Sequence, residues 1–283
     1  LRVNPNEADQ RDIVFVRGAR IYTSQRDRPM PMTPPPFAMV LRKHLRNARL
    51  TGVEQVGFDR VLAFSFDTKN GERTLYVEVF RDGNIILVDQ EGVIIQPLTH
   101  ASYAGRTLKK GVAYTPPPPA MDPYELEEAD FRTLLTESDR DLVSTLGGKV
   151  NLGATHANAV CAVAEHQPNS ATQDADAPAV YAALNRLLSQ LDQSDNGHLV
   201  LKLKDEDPEP WRPYYEGLTA AEQQAFLAER SVEATPILLP QHHDMPQVSF
   251  PSLCQAIDTW KGMHDAHALQ RREEERFEQA GPG

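Results

Sequence analysis

Large apolar residues recur at every second position in two stretches, at Leu62, Phe64 and Phe66 and at Leu75, Val77 and Val79, and this period of two is typical of β-strands. The strands that the alternation predicts are Arg60–Asp67, Thr74–Phe80, Asn84–Asp89 and Val93–Gln96, with Ile13–Val16 and Arg20–Thr23 ahead of them. Glycine-containing runs such as Lys69–Gly71 separate the strands and are typical of turns. We therefore predict an antiparallel meander. Its buried residues should include Phe64, Leu75, Val77 and Val79.

The residues just before the meander repeat with the period of a helix. The apolar positions of this repeat are Phe37, Val40, Leu41, Leu45 and Ala48. Thr33 is suited to the N-cap, and Pro34 to the first helical position, where its missing N–H is no loss. We predict a helix that begins here and lies beside the meander.

Basic residues form a second stripe on the predicted helix. Arg42, Arg46 and Arg49 follow one another at i, i+4 and i+7, with Lys43 and His44 beside them. Like charges at this spacing repel one another unless an anion lies opposite. The stripe is therefore either a solvated face whose long side chains cover the core, or a face that contacts phosphates. The candidate RNA-binding residues are Arg42, Lys43, Arg46 and Arg49.

A glycine-rich segment in the middle of the chain has the layout of a helix-hairpin-helix. Predicted helices Glu137–Leu146 and Thr155–Ala164 flank Gly147–Gly153. In such a motif the backbone N–H groups at a helix N-terminus hold a phosphate. Lys149 is the only basic residue of the segment and is the candidate RNA contact there. A helical hairpin that binds no nucleic acid would show the same pattern.

The remaining pattern indicates several smaller parts. Gly105–Gly111 is a second small basic patch, and a stiff proline-rich segment follows at residues 114–119. Later elements are the helices Val180–Leu191 and Ala220–Glu229, the strands His198–Leu203 and Thr235–Leu239, a helix opening at Phe250–Trp260, and a charged helix His264–Gln279. We predict an α+β protein with a β-rich domain at 1–119, a helix-hairpin-helix domain at 120–205, a small mixed segment at 206–259 and the start of a coiled coil at 260–283.

Charge and cysteine content narrow the possible partners. The net charge is −11 and the pI is about 5.3, so any contact with RNA must be local to the basic helix. The two cysteines, Cys161 and Cys254, lie far apart and fit a reducing cytosol. We find neither a signal peptide nor an apolar run long enough to span a membrane, and we expect a cytoplasmic protein. The chain begins with Leu1 rather than Met, so we expect its start to be missing.

Sequence signatures of catalysis are absent. We find no phosphate-binding loop, dinucleotide fingerprint, nucleophile elbow or His-Glu-x-x-His motif. The neighbouring His242 and His243 lack the spacing of metal ligands on a helix. We therefore predict a protein that is not an enzyme, with no catalytic residue, cofactor, metal site or small-molecule substrate.

Three segments in order, PPPFAMVLRKHLRNARL, GFDR and VEVFRDGNIILVDQEGVIIQPL, resemble the N-terminal region of the NFACT family of ribosome quality-control adaptors. The resemblance implies a β-rich domain similar to formamidopyrimidine-DNA glycosylase, followed by a helix-hairpin-helix and a coiled coil. It also implies binding to the obstructed large ribosomal subunit with its peptidyl-tRNA. The family recruits tRNA for template-free C-terminal tailing of stalled nascent chains.

The resemblance changes the interpretation of Asp59 and Arg60. On the sequence pattern alone they are a charged pair at a strand entry, where adjacent side chains point to opposite faces. An ordinary solvated turn explains this pattern as well. In the family this pair is the functional signature, which implies that Asp59 and Arg60 engage the recruited tRNA.

Two other functions compete with this prediction. A DNA-repair glycosylase or lyase could occupy the same scaffold, although fold similarity alone is no evidence of base excision. An extracellular adhesin is suggested by the family's label of fibronectin-binding-like proteins, and the lack of a secretion signal argues against it.

Overall fold

The computed structural model describes residues 1–80 and 82–280, and these residues form two compact units. The first unit consists of Leu1–Val3, Ile13–Tyr22 and Pro29–Ala120. The second consists of Asn4–Asp12, Thr23–Arg28 and the chain from Met121 onward. Sheets and helices occur in both, which confirms a mixed α and β composition. The finer domain limits predicted above stay predictions.

The first unit is built on the predicted meander. In the described residues, β4 to β8 form a five-stranded antiparallel sheet in which each strand pairs with the next along the chain. Its strands are β4 (Arg49–Gln55), β5 (Val61–Thr68), β6 (Gly71–Glu78), β7 (Ile85–Val88) and β8 (Ile94–Pro97). The other strands within residues 1–120 form a three-stranded sheet and a hairpin. The sheet consists of β1 (Arg2–Val3), β2 (Arg11–Val16) and β3 (Arg20–Ser24), and the hairpin of β9 (Ala101–Tyr103) and β10 (Arg106–Leu108). The meander prediction is confirmed, with one strand, β4, that the sequence pattern did not reveal.

Helix α1 (Pro36–Leu45) packs on one face of this sheet. Phe64, Leu75 and Val77 are buried there, as predicted, and Phe15 meets Phe64 edge-on with ring centroids 5.3 Å apart. The predicted apolar face of α1 (Phe37, Val40, Leu41, Leu45 and Ala48) is partly buried against this core. Val79 is only partly buried and lies one residue beyond the end of β6, so the prediction that it is a buried strand residue is wrong.

The start of α1 differs from the prediction. The helix begins at Pro36, and Pro35 holds the N-cap position with an extended backbone and no side-chain cap. Thr33 and Pro34 lie ahead of the helix. The run of prolines explains the shift, because a residue that precedes proline is disfavoured in helical backbone conformation.

The opposite face of the sheet buries a charged cluster. Arg106 and Glu78 form a bidentate ion pair in which both side chains are nearly inaccessible, and the Tyr114 hydroxyl donates to the same carboxylate at 2.8 Å. Tyr114 also stacks on Tyr76 with centroids 4.0 Å apart. Arg106 of the predicted second basic patch is therefore committed to the core and not to a surface.

The first half of the second unit is a group of helices around one apolar core. The helices are α2 (Glu128–Glu137), α3 (Leu142–Ser144), α4 (Gly153–Val163) and α5 (Ala177–Gln193). The predicted glycine-rich loop is shorter than expected, because α3 continues through a π-helical turn, Thr145–Lys149, that contains Gly147 and Gly148, and Gly153 already begins α4. Only Val150–Leu152 links it to α4. Two short helices joined by a tight turn are present, and their assignment as a helix-hairpin-helix remains a prediction.

The rest of the second unit pairs a small sheet with helices. In the described chain, β11 (Gly197–Leu201) lies between β12 (Ser231–Thr235) and β13 (Gln247–Phe250), and the helices are α6 (Trp211–Glu216), α7 (Ala220–Arg230), α8 (Leu253–Ile257) and α9 (Met263–Ala280). The predicted strand Thr235–Leu239 is wrong, since β12 ends at Thr235. Helix α9 confirms the charged helix. Its pairing in a coiled coil stays a prediction, and residues 281–283 lie outside the described residues.

Candidate nucleic-acid interface

The basic stripe ends earlier than predicted because α1 ends at Leu45. Arg46 follows with an extended backbone (ψ 127°), and Asn47 takes a left-handed conformation with φ 60°. Asparagine tolerates this conformation better than most residues, so it can turn the chain out of the helix. The continuous helical stripe Arg42, Arg46, Arg49 is therefore wrong.

Three of the four predicted residues stay together at the C-terminal end of α1. Arg42 and Lys43 lie in its last turn and Arg46 is its C-cap. All three are exposed, and none forms an ion pair with another described residue. Cations at a helix C-terminus interact favourably with the helix dipole, which is a structural reason for their presence there. Their charges nevertheless remain free to meet a phosphate.

Arg49 lies apart from this group. It is the first residue of β4 and pairs in register with Asp67, while its neighbour Leu50 pairs with Phe66 and packs in the core under α1. Adjacent residues of a strand point to opposite faces. Arg49 therefore points away from α1, to the side of the sheet that carries Asp67.

Asp59 and Arg60 lie in the turn between β4 and β5 and not in a strand, so the prediction of opposite strand faces is wrong. Gly57 makes the turn possible with φ 61°. The Asp59 carboxylate accepts a 2.7 Å hydrogen bond from the Arg60 backbone N–H, and Gln55 donates to the Asp59 carbonyl at 2.7 Å. Asp59 is half-buried, whereas Arg60 is exposed. Asp59 thus shapes the turn that presents Arg60.

The two predicted parts of the site lie at opposite ends of the meander. β4 pairs Arg49 with Asp67 at one end and Gln55 with Leu62 at the other. A strand rises about 3.3 Å per residue, so these ends are roughly 20 Å apart. Only Arg46–Ala48 join α1 to β4. Arg42, Lys43 and Arg46, which we call the α1 cations, therefore lie at the first end of the meander, and Arg60 lies at the second. One extended ligand, rather than a single small group, could contact both.

Lys149 lies in the second unit, at the end of the π-helical turn, and is exposed. Its backbone belongs to a helical turn and not to an open loop. The structure thus supplies an accessible cation there, and its contact with RNA stays a prediction.

Sequence reasoning missed the surroundings of His44. Burial lowers the pKa of His44, and the positive charges of Arg73, Lys43 and Lys110 lower it further. Arg73 and Lys110 are distant in sequence, so only the register of the sheet brings them near the end of α1. The helical periodicity of the sequence therefore could not predict that Arg73 and Lys110 lie near His44.

Histidine 242 has a structural role. It is buried, its Nδ1 accepts a 3.1 Å hydrogen bond from the Leu239 N–H, and its Nε2 lies 2.8 Å from a Glu233 carboxylate oxygen. Within the described residues no three His, Cys, Asp or Glu side chains are placed to hold a metal ion. None of the helices described is long and apolar enough to cross a membrane.

Comparison with known proteins confirms the resemblance seen in the three sequence segments. The chain belongs to the family described as NFACT N-terminal and middle domains, which matches residues 7–276.

Relatives occur in archaea, bacteria and animals. The archaeal Rqc2 homolog aRqcH of Methanocaldococcus jannaschii is 31% identical over 211 residues, which cover 71% of this chain and 31% of the relative. The Rqc2 homolog RqcH of Bacillus subtilis is 34% identical over 155 residues, covering 49% of this chain and 27% of the relative. The human ribosome quality control complex subunit NEMF is 41% identical over 86 residues, which cover 30% of this chain and 8% of the relative. The chain thus spans less than a third of the length of each of these relatives.

Solved structures share the fold. The fibrinogen binding protein from Staphylococcus aureus superposes with a TM-score of 0.62 at 18% identity, covering 91% of this chain and 85% of that one. The N-terminal part of the fibronectin/fibrinogen-binding protein from Streptococcus suis superposes with a TM-score of 0.61 at 20% identity, covering 93% of this chain and 86% of that one. At these identities the likeness concerns the fold alone.

Proposed function

We propose that this chain acts in ribosome quality control. It binds the obstructed large ribosomal subunit with its peptidyl-tRNA, in the cytoplasm, and recruits tRNA for template-free C-terminal tailing of the stalled nascent chain. The observation that carries the proposal is family membership over residues 7–276 together with relatives named as Rqc2, RqcH and NEMF.

The α1 cations supply sequence-independent attraction to RNA. Arg42, Lys43 and Arg46 are exposed and without carboxylate partners in the described chain, although the protein as a whole carries a net charge of −11. A local cluster of this kind can bind phosphates while the acidic remainder limits non-specific binding. Lys149 adds a further cation in the second unit.

Arg60 makes the more specific contact. Its guanidinium is planar, permanently charged and exposed, so it can donate to a phosphate or a base edge. Asp59 orients the turn through the Arg60 N–H and leaves a second carboxylate oxygen for a ribose hydroxyl or base amine. Asp59 therefore mainly positions the turn, and Arg60 contacts the RNA.

The proposed role requires no chemistry from the protein. Binding and orientation of tRNA on the ribosome are sufficient, which agrees with the lack of catalytic signatures in the sequence. We therefore propose an adaptor and not an enzyme.

The test is recovery of the tagged intact protein from cells in which translation has been stalled, followed by sequencing of the bound RNA. We expect large-subunit ribosomal RNA and tRNA to be enriched over small-subunit RNA and over unstalled cells. Equal recovery of both subunits, or of neither, would contradict the proposal.

Two controls sharpen the result. The Arg60→Ala protein should lose tRNA while it keeps large-subunit RNA. Arg132→Ala removes an exposed arginine that pairs with Glu128 at 2.7 Å in the second unit, and it should lose neither. Strand cleavage of duplexes with damaged bases by the purified protein would favour a DNA-repair glycosylase instead.

A further inference from the structure

One end of the five-stranded sheet carries a cation that the helical pattern does not include. Arg73 lies near the start of β6, two residues before Leu75 and four before Val77, which are buried in the core under α1. Residues i and i+2 of a strand share a face. Arg73 therefore lies on the α1 face, at the end of the row that packs beneath the helix.

The strand register brings Lys110 to the same end. Thr74 pairs with Val88 and Val88 with Ile94, so this end of the sheet continues across β7 to β8. Beyond β8, Gly111 N–H donates to the Ile94 carbonyl at 2.9 Å, and Ile94 N–H donates to Val112 at 2.8 Å. Lys110 precedes Gly111 and is exposed. It lies about three strand spacings from β6, roughly 14 Å.

His44 faces this group from the helix. It follows Val40 and Leu41 by four and three residues, so it belongs to the side of α1 that packs on the sheet, and it is half-buried. The charged groups that act on it are Arg73, Lys43 and Lys110, and all three are cations. Three elements thus direct positive charge toward one place.

Arg73 is incompletely satisfied there. Its Nη1 donates to the Glu72 carbonyl at 2.8 Å, but its buried Nε has no hydrogen-bond partner among the described residues. No carboxylate of the described chain forms an ion pair with Arg73, Lys43 or Lys110. Within the described part of the chain, this group concentrates positive charge and has no carboxylate counter-ion.

Acidic residues of the same strands point the other way. Glu72 is adjacent to Arg73 and pairs in register with Asp67, so both carboxylates lie on the face away from α1. Burial raises the pKa of Tyr76 on that face, and the negative charges of Glu54 and Glu72 raise it further. The sheet therefore separates negative charge from positive charge at this end.

We propose that Lys43, His44, Arg73 and Lys110 form one phosphate-binding surface for the backbone of RNA, a refinement that rests on the proposed function. The ligand class follows from the chemistry, because positively charged donors on three elements suit a chain of phosphates better than a single carboxylate. The surface lies at the end of the meander away from Arg60. It holds the RNA backbone while Arg60 makes a second contact.

Bound phosphate should change the protonation of His44. In the free protein burial disfavours the imidazolium form, and the neighbouring cations disfavour it further. A phosphate placed among them offsets their charge and favours that form, so RNA binding takes up a proton. Affinity for RNA should therefore rise as the pH falls from the pKa of His44 in the complex toward its lower pKa in the free protein.

The first experiment titrates unfractionated tRNA against the intact protein at several salt concentrations. Lys110→Ala and Arg73→Gln should each lower the salt slope of binding by about 0.7–0.9 log units per log unit of salt. Arg49→Ala is the matched control, since it removes an exposed arginine at the same end but on the acidic face. Unchanged slopes for Lys110→Ala and Arg73→Gln, or an equal loss for Arg49→Ala, would overturn the surface.

Folding is checked separately. Lys110 is exposed, so Lys110→Ala should melt like the wild type. If Arg73→Gln is destabilised, Arg73→Lys keeps the charge and should restore the salt slope.

The second experiment follows the His44 ring by NMR in histidine-labelled protein, with His44→Gln to assign the signal. The pKa of His44 should rise on addition of tRNA, and an unchanged or lowered pKa would contradict the proposal. Poly-glutamate should not reproduce the rise at matched charge concentration. An equal rise with poly-glutamate would assign the surface to acidic peptides and overturn the assignment to RNA.

The two proposals fail in different ways. If tRNA binds and Arg60→Ala weakens it while Lys110→Ala and Arg73→Gln do not, only the phosphate surface is wrong. If the intact protein binds no tRNA, both the proposed function and this refinement are wrong.

Discussion

The two faces of the five-stranded sheet treat cationic side chains in opposite ways. On one face, the Arg106 side chain is 6% exposed and pairs with the fully buried Glu78 carboxylate. On the other, Arg42, Lys43 and Arg46 are exposed at the end of α1 and have no ion-pair partner in the described chain. The sequence shows two basic segments of similar appearance. Burial and pairing decide which of them stabilises the fold and which is free to bind.

The comparison predicts opposite consequences of mutation. Removal of one partner of a buried ion pair strongly destabilises the fold, because the other charge stays buried without compensation. An exposed cation contributes little to stability but can contribute strongly to binding of a polyanion.

The largest effect should follow Arg106→Ala. It leaves Glu78 buried and unpaired, which should lower the free energy of unfolding by roughly 3–5 kcal/mol. Denaturant unfolding measures this loss. Lys109→Ala removes an exposed cation of the same segment and should change stability by no more than about 0.5 kcal/mol. Equal losses in the two variants would mean that burial and pairing do not set Arg106 apart from an exposed cation.

Phe64→Ala should have a similarly large effect. Phe64 is 3% exposed and packs in the core that supports α1, so its truncation should lower the free energy of unfolding by roughly 3–5 kcal/mol. Because the cations depend on α1 for their position, tRNA affinity should fall with it. A loss below about 1 kcal/mol in denaturant unfolding would show that this core is not packed as described.

The double variant Lys43→Ala, Arg46→Ala should separate binding from stability. The lost interaction with the helix dipole should lower the free energy of unfolding by at most about 1–2 kcal/mol. The salt slope of tRNA binding should fall by roughly 1.4–1.8 if each residue contacts one phosphate. Salt titrations with the intact protein measure the slope, and an unchanged value would make this end of α1 an ordinary solvated surface.

The smallest effect concerns His44 in the absence of RNA. Its pKa is lower in the folded than in the unfolded chain, so the unfolded chain binds more protons between these two values. His44 therefore makes the free energy of unfolding rise with pH across that window and fall on acidification. His44→Gln should remove this part of the pH dependence. Unfolding curves collected at about pH 5 to 8 test it, and identical pH profiles for both proteins would contradict the lowered pKa.

The sequence predicted the meander well for a physical reason. Alternation over Val61–Thr68 and Gly71–Glu78 with a turn at Lys69–Gly71 specifies both the strands and their pairing. Strand β4 was missed because its pattern is weak, with Gly52 at an irregularity in the pairing and several exposed residues. The predicted helical spacing of the arginines therefore extended beyond Asn47, although the chain leaves the helix before that residue.

The candidate site was only partly predictable. Exposure of the α1 cations follows from the helical pattern, and the resemblance singled out Asp59 and Arg60. Arg73 and Lys110 could not be placed with them, because their proximity depends on the register of non-adjacent strands. The same holds for Arg106, because the sequence around it does not indicate that it pairs with the buried Glu78.

We propose that the turn at Asp59 and Arg60 engages the recruited tRNA. The most direct test of this proposal is tail synthesis on stalled nascent chains by the intact protein carrying Asp59→Ala or Arg60→Ala, with thermal stability and large-subunit binding measured on the same samples. We predict that Arg60→Ala abolishes tailing and that Asp59→Ala reduces it, while stability and large-subunit binding stay near those of the Arg132→Ala control. Normal tailing by both variants would contradict the claim, as would a loss of tailing that is matched by a loss of folded protein.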